Sequence, residues 1–89
     1  MSMVLDPPIL ARGVFVAALC RVTIVPMRAA DGVTVWAEKI PVALLLQRPG
    51  EALRCQSPVG DPLTLAQLEA LDPGVVARFA EAVARGLNP

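Results

Sequence analysis

Apolar residues fall on both parities of the stretch from Val14 to Val25. Val14, Val16, Ala18, Cys20, Val22 and Ile24 share one side; Phe15, Ala17, Leu19, Arg21, Thr23 and Val25 share the other. β-branched content and the bounding Gly13 and Pro26 predict a strand. A strand apolar on both sides is covered on both sides, and in so short a chain the second cover is expected from another copy. Met27 to Gly32 then reads as a connection ending in the Asp31-Gly32 turn signal. Val33 to Ile40 alternates as the return strand of a hairpin, and Pro41 breaks the ladder. Val42 to Gln47 reads as a further strand because it is short and flanked by Pro41 and Pro49-Gly50. Arg48-Pro49-Gly50-Glu51 fits a type II turn, after which Ala52 to Gln56 pairs back. The pattern is a meander with hairpin connections.

After a loop at Ser57–Pro62 the period changes to helical. Thr64 and Gln67 make a T-x-x-Q capping box, with Leu63 and Leu68 spaced for a hydrophobic staple. That helix ends near Leu71. Asp72 as N-cap and Pro73 at the first helical position predict a second helix. Its stripe is Val76, Phe79, Ala80 and Val83, at spacings of three and four, and Glu81–Arg85 forms a favourable pair on another face. Gly86 is placed for a C′ position, with Leu87 folding back to close the end.

Residues 1–12 form a different segment. Asp6-Pro7-Pro8 excludes a helix and predicts an extended arm, with Ile9 and Leu10 as anchors on a neighbouring subunit. Residues 13–89 make a single α+β domain: an antiparallel β-meander of three to five strands, followed by two C-terminal helices packed on the sheet.

Composition sharpens this picture. Hydrophobic residues are 55% of the 89-residue chain, and eight basic residues balance eight acidic ones. A chain of this size hides only about 60–65% of its unfolded surface. The apolar excess therefore points to exposed apolar surface, which marks interaction sites. Zero net charge argues against nucleic acid as a partner. The most apolar run is too short to span a bilayer, and no signal-peptide pattern is present. The expected setting is cytoplasmic, with a virion as the alternative, and membranes are not an expected partner.

The chain has no His, so the commonest general base and zinc ligand are missing. Cys20 and Cys55, with no C-x-x-C, read as two buried thiols behaving as small hydrophobes. No metal, cofactor or small molecule is implied, and catalytic residues are not assigned. Arg28, Arg48 and Arg54 cluster near hairpin ends or on one strand. They are candidates for a weak anion site, against the alternative of solvated edge charges that discourage strand addition. Trp36 suits the core or an interface, since tryptophan is enriched at interface hot spots.

One resemblance is carried by Ala43 to Leu87. An Arg48-Pro49 element is followed by P-L-T-x-x-Q-L-E-x-L-D-P-G (from Pro62) and an amphipathic helix over Val75–Ala84. This resembles small tail-assembly proteins of contractile-tailed bacteriophages, which carry a further helical stretch where this chain has Gly50–Gly60. The resemblance implies a virion-assembly role.

The sequence thus predicts a non-enzymatic interaction or structural module, self-associating or bound to one protein partner. Val14, Val16, Leu19, Trp36, Leu44 and Leu46 are the candidate interface residues. The opposing reading is a small anionic-ligand binder or thiol-dependent enzyme using Cys55 and nearby arginines.

Overall fold

In a computed structural model of the chain, residues 2–87 are described. They form an antiparallel sheet followed by two helices, the α+β architecture that the pattern predicts. The strands are β1 (Ser2–Leu5), β2 (Ile9–Ala11), β3 (Val14–Ala29), β4 (Gly32–Gln47), β5 (Arg54–Gln56) and β6 (Pro62–Leu63). The helices are α1 (Leu65–Leu71) and α2 (Val75–Leu87). The sheet runs β1-β3-β4-β5-β6, with β2 also on β3.

The dominant element is one long hairpin. β3 and β4 have 16 residues each and close at the pair Ala29–Gly32. The expected connection at Met27–Gly32 shrinks to Ala30 and Asp31, and the expected break at Pro41 is absent: Val33–Ile40 and Val42–Gln47 are one strand. Both prolines stand inside the ladder, Pro26 opposite Val35 and Pro41 opposite Cys20. A proline survives in a ladder only where its missing N–H would face away from the partner strand. Among the described residues no third strand pairs with the outer edge of β3 beyond Val22 or of β4 between Gly32 and Ala43, so the prolines can take the outward positions there. Between Leu19 and Cys20 the register shifts, which leaves Val42 as an extra residue on β4.

Residues 2–11 are extended, as the prolines require, but they do not stand apart as an arm. β1 pairs with Leu19–Val22 and β2 with Val14–Val16 of the chain's own β3. Arg12 and Gly13 join β2 to β3 with φ of 51 and 78, the two positive values that a type I′ turn demands. Gly50, φ 81, fills the expected type II position, and the Glu51 amide donates to the Arg48 carbonyl at 3.0 Å. β6 arises within the segment read as loop: the Ser57 amide donates to the Asp61 carbonyl at 2.8 Å, closing a second small hairpin.

The capping box of α1 is complete. Thr64 Oγ1 accepts from the Gln67 amide at 3.0 Å, and Gln67 Oε1 accepts from the Thr64 amide at 2.8 Å. The start of α2 differs from expectation. Gly74, φ 85, precedes the helix, and Glu69 reaches back from α1 to accept from the amides of Gly74 (2.7 Å) and Val76 (3.2 Å). Asp72 instead ends α1 and pairs with Arg78. The buried stripe is Val75, Phe79 and Val83, with Ala80 exposed. Gly86 is not a terminator: the helix continues through it to Leu87, and a Cβ there would lie 3.5 Å from the Phe15 ring. The closure expected of the Leu87 side chain falls outside the described residues.

The core lies between the helices and one sheet face: Phe15, Ala17 and Leu19 from β3, Ala43 and Leu45 from β4, Cys55 from β5, and Leu68, Val75, Phe79 and Val83 from the helices. Only the base of the hairpin is covered in this way. The outer half projects, and the molecule measures 55 × 30 × 23 Å. Its radius of gyration is 15.7 Å, against about 12 Å for a compact domain of this length.

Candidate association surface

The register assigns each side chain to a face, because directly opposed residues of an antiparallel pair point the same way. Phe15, Ala17 and Leu19 face the helices. Val14, Val16, Ala18, Cys20, Val22 and Ile24 therefore point to the opposite face, with Leu46, Leu44, Pro41, Lys39 and Ala37 opposite them on β4. Ile9 of β2, Val4 of β1 and Arg54 of β5 join the same side. No helix packs there: both helices belong to the core on the other side. The result is a long apolar sheet face with no helix over it: at its base Val14, Val16, Ala18, Leu44 and Leu46 are half-buried by their neighbours, and Cys20, beside Asp6, is buried.

Towards the hairpin tip the exposure increases. Ile24 is 63% exposed, Val33 74% and Val35 60% on this face; Trp36 is 47% exposed on the reverse side, opposite Val25. The chain's accessible surface is 6123 Å². A folded monomer of this mass shows about 5,000 Å², so the projecting outer half of the hairpin and the bare face leave a surplus of surface that the fold itself does not remove from water.

The sequence-selected residues separate cleanly. Val14, Val16, Leu44 and Leu46 sit partly buried on the bare face, and Trp36 stands on the arm rather than in the core. Leu19 is fully enclosed beneath the helices and is not available to a partner. Ile9, expected as an anchor on a neighbouring subunit, lies on this face as part of β2, whereas Ile24, Val33 and Val35 were missed. Their signal was the length of the uninterrupted hairpin, which the prolines masked.

Of the three arginines, Arg48 and Arg54 line one cleft of about 310 Å³ at the base of the bare face, beside Val14, Leu46 and Glu51. Arg28 is far from them, one pair short of the hairpin's end. None of the three takes part in an ion pair among the described residues. Midway along the face, Lys39 Nζ meets Asp6 Oδ1 at 2.6 Å, and the hydrogen bond to Asp6 raises the lysine's pKa.

Both thiols are free and buried. They are not neighbours: Cys20 opposes Pro41, whereas Cys55 opposes Leu45 from the far side of β4. Burial pushes both upward from the ordinary value of 9.0, with the Asp6 charge adding to the effect at Cys20. Cys55 Sγ donates to the Leu63 carbonyl at 3.2 Å and sits in the core. Such a thiol is held protonated, the reverse of what a nucleophile needs. No group of three or more His, Cys, Asp or Glu able to hold a metal occurs among the described residues, and no described helix is long and apolar enough to cross a membrane.

Comparison with protein-family models, curated proteins and solved structures found no match to the chain. Where the resembled tail-assembly proteins carry an added helix, Gly50–Gly60 here holds turn, β5 and loop.

Proposed function

We propose that the chain is a non-enzymatic protein-association module, working as a homo-oligomer or as a small subunit of a larger assembly. The observation that carries this reading is the β3–β4 sheet with an apolar side left bare by the helices and continued onto a projecting arm. Monomeric soluble proteins rarely keep contiguous apolar patches beyond a few hundred Å². At about 25 cal/mol per Å², burying on the order of several hundred Å² on each partner offsets an association cost of roughly 4–15 kcal/mol. Docking uses the face rather than the strand edges, since Pro26 and Pro41 each remove a donor from the edges left free.

The test is a paired substitution, Val16→Glu with Leu46→Glu. Both side chains point away from the helix-covered core, so the variant retains the native circular dichroism spectrum. Size-exclusion chromatography with light scattering is expected to give an assembled wild type and a monomeric variant. A folded variant with the same mass as wild type contradicts the reading.

A further inference from the structure

Resting on the association reading, we propose that the occupant of the bare face is a second copy of this chain. The two hairpins lie antiparallel about a twofold axis, with the tip of each seated over the base cleft of the other.

The first argument is area. The bare face runs from Val14 to the hairpin end at Ala29. At about 3.3 Å per residue that is roughly 50 Å, matching the long dimension of the molecule of 55 Å. It is two strands wide at the tip and four at the base, roughly 10–19 Å at about 4.8 Å per strand. The product is about 500–900 Å² on each copy, and a standard specific interface uses about 800 Å² a side. A single chain thus offers a face of the size that a stable dimer needs.

The second argument is charge. The tip carries Asp31 in the turn and Arg28 on the bare face. The base cleft carries Arg48 and Arg54 together with Glu51. The Asp31 carboxylate complements the two arginines, and a twofold antiparallel arrangement brings Asp31 to Arg54 and Arg48 twice. A parallel arrangement sets tip on tip and base on base, and gathers four arginines at one end. Midway along the face, the one charged pair among the described residues is Lys39–Asp6, already neutralised within each chain, so no unpaired charge is buried near the axis. The apolar levels agree as well. With Asp31 over Arg54, the axis falls between Val22 and Ile24, and the exposed Ile24, Val35 and Val33 of one hairpin tip cover the partner's Val22, Cys20 and Ala18. Isologous interfaces of this kind are the commonest way that soluble chains pair.

The test is a charge swap at exposed positions, read by sedimentation equilibrium. Asp31→Arg and Arg54→Asp each place like charges together twice, and each is expected to weaken the dimer at least tenfold in Kd. The double variant restores the pairing with reversed polarity and recovers affinity to within a few-fold of wild type. A second readout fixes direction: mild oxidation of a variant carrying Asp31→Cys and Arg54→Cys yields disulfide-linked dimers, while Asp31→Cys alone stays unlinked. Linkage through Asp31→Cys alone, or single charge variants that dimerise like wild type, overturns the antiparallel arrangement and leaves association intact. A wild type that is monomeric at every concentration overturns both.

Discussion

At the scale of single residues, Arg12 and the two thiols carry the clearest consequences. Arg12 holds a left-handed backbone (φ 51) in the turn between β2 and β3, a conformation that costs an L-residue roughly 1–2 kcal/mol. Asn tolerates it far better and leads at this position of type I′ turns. Arg12→Asn is therefore expected to stabilise the fold by about 0.5–1 kcal/mol, seen as a higher midpoint in urea unfolding. The thiols make a different prediction. With both pKa values raised in the folded state, the folded chain keeps its thiol protons where the unfolded chain releases them. The stability that this linkage contributes is present below the ordinary value of 9.0 and is lost as pH rises through the folded values. Lys39 acts in the same direction at higher pH, from 10.5 upward. Unfolding monitored across alkaline pH is expected to show stability falling from about pH 9, with alkylation of native protein slow and alkylation in denaturant fast. Fast alkylation of a folded thiol at neutral pH would contradict the structure.

At the scale of elements, the link between α1 and α2 is set by one side chain. Glu69 spans the break at Asp72–Gly74 and accepts both amides at the start of α2. Charge-assisted caps of this type contribute about 1–2 kcal/mol. Glu69→Ala is expected to lose that amount in thermal unfolding, and Glu69→Gln, which keeps one acceptor oxygen, to lose less. This contact also shows what the sequence allowed one to read. The box at Thr64–Gln67 was legible because its partners are three residues apart. Glu69 and its amides are separated by a reversal of the chain, so Asp72-Pro73 looked like the cap, and the stripe, right at Phe79 and Val83, was begun at Val76 rather than Val75. The hairpin failed in a related way. Alternation identified both strands, but Pro26 and Pro41 read as breaks. Whether a proline interrupts a ladder depends on the side to which its nitrogen points, and that is fixed by register. β1 and β2 escaped notice for the same reason: an extended segment with prolines looks alike as a free arm or as an edge strand.

At the scale of the whole molecule, the apolar excess read from composition becomes a shape. The helices cover about half of one sheet side, where Phe79, Leu45 and Leu19 are fully buried. No helix covers the other side, and the outer half of the hairpin stands in solvent. The sequence foresaw the two-sided apolar strand and most of the residues on its bare face; it did not foresee that the hairpin would project, which places Trp36, Val25 and Met27 in solvent rather than in a core. Sedimentation equilibrium over a wide concentration range tests this account most directly. The mass is expected to rise with concentration to at least twice the 9.4 kDa of one chain. A mass that stays at one chain to the highest concentration would contradict it.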